Sequence, residues 1–369
     1  MAFVTGTAIG DPLTKILWSN KMHIETQAEL WFNQRGMMKK EDGNEGSFER
    51  KADAPIIVKD EFGKERGQQI RLALRKQLTV LGDNTRSSAL ATKHYGTTTM
   101  VDAEETLNLF DMAVFVEQLK NAVAFDTPAI QDLRTNFRMD QEAAASLRDW
   151  LTANIEESLL DAAYDGNAAH VIRSLSPSAT EHPNYHLAGA AAAAADFSTT
   201  VGKLDTTALR KLYADARLKN IDPIKIDGDE TYVLLAHVYS TNNLDADSTF
   251  RDTNNNARQR GSDNPLFTRA DSTFEGITIH EYNRIRRPTD TTSSVNTTTH
   301  ENILLGANAL VLGNASEPRL VERKEDKYED IYGVGIKTIF GAARCDWDAA
   351  AGSAVFNQSS IVVQAYSVA

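Results

Sequence analysis

The chain has almost no cysteine. Of its 369 residues only Cys345 carries a thiol, so no disulfide can form within one copy. Any covalent reinforcement would need a bridge between copies or some other chemistry. A nucleophilic thiol would need a histidine partner placed by the fold, and nothing in the sequence points to one. We therefore expect Cys345 to be buried and inert.

Long apolar runs are absent as well. Runs such as Ala188–Ala195 fall far short of the roughly 18–20 residues that a membrane span needs. Residues Met1–Leu13 lack the basic start and the apolar stretch of a secretory signal. Apolar residues make up 41% of the chain and charged residues 24%, so a sizeable core can be buried. We expect a soluble protein, made in a cytoplasm, with two ordinary domains or one large irregular one.

Positive charge is in deficit. The chain has 39 Lys and Arg against 51 Asp and Glu, which gives a net charge of −12. Proteins whose main role is to grip phosphates usually carry a basic stripe, so this balance argues against nucleic-acid binding as the main function. Residues 1–75 hold 12 basic and 11 acidic residues, so all of the negative excess lies further along the chain.

The familiar catalytic motifs are also missing. There is no phosphate-binding G-x-x-x-x-G-K-[ST] and no G-x-S-x-G elbow. Gly333-Val-Gly335 lacks the third glycine of a dinucleotide loop, and His280-Glu281 lacks the second histidine of a metalloprotease helix. His182 and His186 form the only close histidine pair, but Pro183 disfavours the helix that this spacing needs for zinc. We predict no catalytic, cofactor-binding or metal-ligating residues, and no enzyme activity.

Two further groups of polar residues have simple structural interpretations. His237 ends an apolar run that is typical of a strand, so we expect it to form hydrogen bonds in the core or in a turn. Glu156 and Glu157 fall on the polar side of a predicted helix, which indicates a solvated surface.

The first 50 or so residues are interpreted as an arm. Trp18 and Trp31 lie in a segment with too few apolar residues to form a core of its own. One interpretation is that they anchor the arm to a neighbouring subunit. The alternative is a small helix, around Gln27–Gln34, that packs on the protein's own body.

A long hairpin is predicted next. In Gly67–Leu78 apolar residues alternate with polar or small ones, as in a half-exposed strand. The polar stretch Gly82–Tyr95 separates this strand from a threonine-rich return over Gly96–Asp102. Twelve strand residues span about 40 Å at roughly 3.3 Å each. Such a projecting hairpin is natural where a neighbouring subunit covers it.

Three helices are predicted. The residues after Asp102–Glu105, to about Leu119, are predicted to be helical. The clearest helix runs from Asp140 to Ala163, and another covers Asp205–Lys219 with Asp205 as its N-cap. The apolar stripe of the clearest helix comprises Ala143, Leu147, Trp150, Leu151, Ile155 and Leu159.

Two polar stretches, Asp245–Asn264 and Thr289–Thr299, are predicted to be surface loops. They flank a predicted strand that ends at Ile285.

Four segments, each with a short apolar run, follow one another in the second half of the chain: Tyr232–Leu244, Asn264–Ile285, Ile303–Ala315 and Tyr332–Asp348. Their order resembles the C-terminal half of tailed-phage major capsid proteins with the Hong Kong 97-like fold, in a podophage-type branch. The matching pieces are a strand before an "Asn-Leu" helix (Tyr232–His237 and Asn243–Leu244), a "Gly-(Ile/Val)-x-Ile-His" strand (Phe274–Arg284) and a "Leu-Leu-Gly-Ala-x-Ala" segment (Ile303–Ala309). The resemblance extends over about Pro55–Tyr366 and is most specific over Tyr232–Trp347.

The resemblance implies an α+β fold with five parts. These are an N-terminal arm (1–54), an extended hairpin loop (55–103), a peripheral domain (104–185) with a long spine helix at about 140–163, an axial domain (186–318) and returning peripheral strands (319–369). In some relatives a lysine and an asparagine form a covalent crosslink between subunits. Lys93 lies in the extended loop, but a lysine in a loop is usually solvated, and we expect this of Lys93. Since the chain begins almost directly with the arm, we expect scaffolding to be a separate protein or to have been removed.

The function implied is that of a major capsid protein. Its copies would self-assemble into pentamers and hexamers of an icosahedral tailed-phage head that encloses double-stranded DNA, with a portal at one vertex. The subunits would assemble in the host bacterial cytoplasm and end in the virion. They would touch DNA non-specifically and no membrane, and separate scaffolding and decoration proteins are possible partners. The alternatives are a nanocompartment shell protein of the same fold, or a soluble enzyme with an unrecognised site.

Overall fold

The computed structural model contains helices and strands, and most of the strands lie in two sheets. It describes residues 22–40, 54–62, 65, 68–75, 109–126, 139–165, 185–187, 202–219, 221–226, 229–257, 272–286, 299–322, 331–347, 356–357 and 359–366. The helices are α1 (22–29), α2 (Trp31–Gln34), α3 (Met139–Asp165), α4 (Thr206–Leu218), α5 (Val238–Ala246) and α6 (Ser248–Ala257). The strands are β1 (Met38–Lys40), β2 (Ile56–Asp60), β3 (Gln69–Arg75), β4 (Leu109–Phe115), β5 (Glu117–Asp126), β6 (Tyr185–Leu187), β7 (Ile224–Ile226), β8 (Asp229–Ala236), β9 (Ser272–Phe274), β10 (Ile277–Glu281), β11 (Thr299–Leu305), β12 (Leu310–Glu322), β13 (Ile331–Arg344), β14 (Asp346–Trp347), β15 (Phe356–Asn357) and β16 (Ser360–Tyr366).

The first sheet has five strands in the order β1-β2-β12-β13-β5. The helix α3 packs on one face of this sheet, where Val334 and Ile336 of β13 join the core. The helix predicted over Asp140–Ala163 is therefore confirmed, with one further residue at its N-terminal end and two at its C-terminal end. Its buried stripe also follows the prediction, with Trp150 partly buried at the edge and Leu147, Leu151, Ile155 and Leu159 fully inside.

The second sheet has seven strands, in the order β6-β16-β11-β8-β10-β9 with β7 also paired to β8. Both of its faces are buried, each by a different core. Because alternate residues of a strand point to opposite sides, one strand can contribute side chains to both cores. Val233 and Leu235 of β8 join the core around α3, whereas Tyr232 and Leu234 join a second core beneath α4.

The prediction that Asp205 is the N-cap of α4 is also confirmed: the backbone N–H of Ala208 donates to the Asp205 carboxylate at 2.7 Å.

Two predictions of local structure are wrong. The helix expected up to Leu119 is replaced by the strands β4 and β5, since buried Met112, Val114 and Val116 recur at every second position. The loop expected over Asp245–Asn264 contains the helix α6, which begins after Asp247. Phe250 anchors this helix against the Phe274 ring at 5.7 Å, a tertiary contact that its polar composition does not reveal. Of the second predicted loop, residues 289–298 lie outside the described residues, and Thr299 begins β11.

The predicted hairpin exists at its base, where β4 returns beside β3; the predicted return over Gly96–Asp102 lies outside the described residues. β3 pairs with β4 from Gln69–Phe115 to Arg75–Leu109. The base packs on the face of the five-stranded sheet opposite α3, in a third core that contains Ile70 and Val114. The backbones come so close that a Cβ added to Gly341 of β13 would overlap the Phe115 carbonyl.

The described part of the arm packs on the protein's own body, as the second of the two interpretations proposed. Phe32 is fully buried, and the Trp31 ring lies 4.5 Å from that of Tyr282, centroid to centroid. Arg148 of α3 forms ion pairs with Glu25 and Glu29 of α1, both at 3.1 Å. Trp18 lies outside the described residues.

Glu156 is the buried carboxylate that joins the arm to the body, so the prediction that it is solvated is wrong. It accepts hydrogen bonds from the Trp31 N–H at 2.8 Å and the Tyr282 hydroxyl at 3.2 Å, and Arg284 lies 3.3 Å away. Burial and the Glu156 charge raise the pKa of Tyr282, so its hydroxyl keeps the proton that it donates. The adjacent Glu157 is exposed.

His280 lies at the same junction between the arm and β10. Its ring meets that of Trp31 edge-on at 6.2 Å, and only 8% of the residue is exposed. Burial, with a smaller effect from the positive charge of Arg35, lowers the pKa of His280 to about 4. The imidazole is therefore neutral at neutral pH.

Replacing Gly341 by alanine should lower the free energy of unfolding by about 2–3 kcal/mol, because the new methyl group overlaps backbone that must then move. Gly335→Ala is the matched control, since it adds the same group on the same face of β13, where the nearest atoms are 3.2 Å away. We expect that control to lose about 1 kcal/mol or less. Urea unfolding measures both, and equal losses would contradict the close contact at Gly341.

Replacing Glu156 by glutamine should lower the free energy of unfolding by about 1–2 kcal/mol, because Arg284 loses its carboxylate and the Tyr282 hydroxyl loses a charged acceptor. Glu157→Gln removes the same charge one residue away at an exposed position, and should stay within about 0.5 kcal/mol of the parent. Urea unfolding would refute the role of Glu156 if the two variants behaved alike.

Acid should weaken the fold through His280. An unfolded histidine binds its proton near pH 6.5, but the folded one only near 4, so the unfolded chain takes up more protons between these values. The contribution of neutral His280 is complete above about pH 6.5 and is lost as the pH falls towards 4. Between pH 7.5 and 5 the wild type should therefore lose about 1–2 kcal/mol more stability than His280→Gln. Superimposable pH profiles would disprove this.

Candidate functional site

His237, which the sequence analysis placed at the end of an apolar strand, has a structural role. The backbone N–H of Tyr239 donates to Nδ1 of His237 at 3.3 Å, so this side chain caps the start of α5, as predicted for a core or turn position. Its ring stacks on that of His300 at 4.0 Å. The side chain of Asn302 accepts from the His237 N–H at 3.0 Å and donates to Ser240 at 3.2 Å. This cluster joins the end of β8 to β11.

The other sequence candidates are dispersed. Cys345 is buried, as predicted, in the core beneath the hairpin base. Gly333 and Gly335 lie within β13, and His280-Glu281 lies in a strand rather than a helix. His186 lies in β6, whereas His182 and Lys93 fall outside the described residues.

No metal centre assembles in the part of the chain that the structure describes, where no three His, Cys, Asp or Glu side chains come together to hold an ion. Among the same residues, no helix is long and apolar enough to cross a membrane.

A buried ionic cluster that the sequence analysis missed closes the C-terminal end of α3. Arg344 donates to the carbonyls of Ala163 at 3.2 Å and Tyr164 at 2.9 Å, which are among those that a helix end leaves without intrahelical partners. The same guanidinium pairs with Asp346 at 2.6 Å. The signal in the sequence was an arginine at the end of an apolar strand, because a buried arginine needs partners.

A second buried pair extends this cluster to the seven-stranded sheet. Arg286 and Glu301 lie 3.7 Å apart, with side chains 6% and 0% exposed. The Tyr164 hydroxyl donates to the Glu301 carbonyl at 2.7 Å. Removing one partner of such a pair is strongly destabilising, because it leaves an uncompensated buried charge. The arrangement suits holding two sheets and a helix together.

The surface offers candidates for contact with other molecules. β5 is an edge strand of the five-stranded sheet, and such edges are templates for pairing with another chain. Large apolar side chains are exposed at Ile24 and Phe62 beside the arm, at Phe115 in the hairpin base and at Val123 on the β5 edge. These are scattered sites around the arm, hairpin and sheet edge rather than one pocket.

The sequence matches the family model described as "Phage capsid protein" over residues 6–369. No curated protein matches it. The structure is similar to the capsid of Ralstonia phage GP4, with a TM-score of 0.68 and 16% identity over 99% of this chain and 98% of that one.

Two other capsid structures are also similar. The Cyanophage Pam1 capsid has a TM-score of 0.60 and 18% identity over 89% of this chain and 96% of that one. The capsid of Helicobacter pylori bacteriophage KHP30 has a TM-score of 0.61 and 15% identity over 88% and 94%. At these identities the likeness is one of fold, and it confirms the predicted α+β, Hong Kong 97-like class. Because the family match runs over nearly the whole chain and the fold agrees with it, this chain belongs to the phage capsid protein family and is a major capsid protein that forms the shell of a phage head.

Proposed function

We propose that copies of this chain associate in rings of five and six, which close into an icosahedral shell around a double-stranded DNA genome. The observation that carries the proposal is the family match over residues 6–369. Rings of this kind use one pair of unlike surfaces repeatedly, so each copy must present two different contact regions. We assign the chain no catalytic role.

The hairpin supplies one of these regions in our proposal. Its base is held against the five-stranded sheet by Ile70, Val114 and the close backbone approach at Gly341, so the direction in which the hairpin leaves the body is fixed. We propose that the residues between β3 and β4 lie across a neighbouring copy. An interface of this class buries on the order of 1,200–2,000 Å².

The arm's part in assembly is narrower than the sequence alone indicates. Trp31 and Phe32 are committed to the subunit's own core. We therefore assign contact with a neighbour to the residues before Met22 and to Ile24, which is 67% exposed.

The two sheets are proposed as the two domains that the resemblance implies. The five-stranded sheet with α3 would be the peripheral domain, and the seven-stranded sheet with α4, α5 and α6 the axial domain at the ring centre. On this assignment β16 belongs with the axial domain, because it pairs with β11.

The remaining partners follow from the same proposal. One vertex would hold a portal, and a separate scaffolding or decoration protein is compatible with the shell. Contacts with packaged DNA would be sparse and non-specific, since the net charge is −12. Assembly would take place in the host bacterial cytoplasm, and the finished shell would be part of the virion.

Deleting Gly82–Tyr95 should leave a folded subunit that cannot form closed shells, because the proposed contact with the neighbour is lost while the hairpin base remains. Circular dichroism and thermal unfolding test the fold, and negative-stain electron microscopy tests the particles. Replacing the same residues by an equal length of Gly and Ser keeps the chain length, and should also fail to close shells.

Normal particles from either variant would refute the proposed role of the hairpin in assembly. Wild-type protein that stays a small oligomer even with a scaffolding protein would overturn the shell itself.

A further inference from the structure

Three positively charged side chains form a row across the five-stranded sheet. Arg319 of β12 pairs with Lys337 of β13, and Lys337 pairs in turn with Lys120 of β5. Side chains of directly paired residues lie on the same face, and all three residues are exposed. Neighbouring strands are about 4.8 Å apart, so three cations lie along a line of about 10 Å.

This row is electrostatically unfavourable in an isolated subunit, because like charges directly opposite each other on neighbouring strands repel. Among the described residues, none of the three side chains takes part in an ion pair or a hydrogen bond. Glu117 of β5 pairs with Phe340 and so lies on the opposite face. Glu317 lies close enough to His23 to oppose the lowering of its pKa, which burial chiefly causes.

The row lies on the face that carries the hairpin base. Lys337 has the same orientation along β13 as Ile339 and Gly341, which contact that base, whereas α3 covers the other face. The next row on this face consists of Val321, Gly335 and Ala122. Val321 is 38% exposed, so small apolar groups lie next to the three charges.

We propose that this cationic row, with the small apolar row beside it, is a docking surface for a carboxylate-rich segment of a second copy of the chain. The inference rests on the proposed function, since a shell places many copies in fixed relation to one another. It names the chemistry of one of the two contact regions that a ring requires.

Charge complementarity identifies the occupant. Each copy carries 51 acidic against 39 basic residues, so a neighbour is a ready source of carboxylates. A DNA duplex carries a phosphate about every 1.7 Å of its axis and is gripped by broader basic surfaces than one row of about 10 Å. Carboxylates of a neighbour would relieve the repulsion within the row and set the register between copies, as complementary charges do at interfaces.

The test is a triple variant in which Lys120→Gln, Arg319→Gln and Lys337→Gln remove the row. The matched control carries Lys211→Gln, Lys225→Gln and Arg251→Gln, which remove three exposed cations outside the five-stranded sheet. Both change the net charge equally. The row variant should melt at the parent temperature or above it, because repulsion is relieved.

Assembly is measured by sedimentation and negative-stain electron microscopy. At about 150 mM salt the assembled fraction of the row variant should fall on the order of tenfold, whereas the control variant should assemble as the wild type does. Raising the salt should reduce assembly of the wild type more steeply than that of the row variant, because only the wild type has the charges to screen.

Each contrary outcome has a distinct meaning. If the wild type and the row variant assemble equally well, the docking surface is wrong and the shell proposal stands. If the wild type forms no shells or rings even with a scaffolding protein, both proposals fall. Equal loss in the control variant would show a bulk charge effect, and normal empty shells with poor DNA retention would make DNA the occupant. Either of these last results overturns the inference.

Discussion

Burial of one face of α3 is the constraint on which the rest of the molecule depends. The helix is 27 residues long, about 40 Å at 1.5 Å per residue, and the five-stranded sheet, the arm and the buried ionic cluster all contact it. The five-stranded sheet packs along its apolar stripe, the arm is tied to it through Glu156, and Arg344 binds the carbonyls at its C-terminal end. A change that loosened this helix would therefore disturb the arm, the sheet and the buried ionic cluster together.

The two sheets share one core but differ in what they leave exposed. The seven-stranded sheet is covered on both faces, so every position of β8 from Tyr232 to Ala236 is buried. The five-stranded sheet is covered by α3 on one face and only in part by the hairpin base on the other. The uncovered end of that second face is where the three cations meet, so the surface most available to another molecule is on the sheet that α3 holds rigid.

Sequence patterns correctly predicted those elements whose structure depends on residues close together in the chain. The 3.6-residue period marked α3, the period of two marked β3, and Asp205 marked the start of α4. The errors arose where distant residues decide: β5 is a strand because it pairs with β13 more than 200 residues later, and α6 is held by the Phe250–Phe274 contact. Glu156 is buried only because an arm 125 residues earlier covers it, and the row from Lys120 to Arg319 exists only once strand pairing is known.

The order of strands in the sheets also determines when each strand can pair as the chain is synthesised. β2 cannot pair with β12 until residues 310–314 have been made, and β11 lacks one neighbour until β16 is complete. Such sequence-distant contacts are slow to form, because the ends of a long chain segment must meet first. The arm and the hairpin strand β3 are thus synthesised long before the sheet that receives them exists. The newly made chain therefore becomes competent to meet other copies only after both sheets have closed.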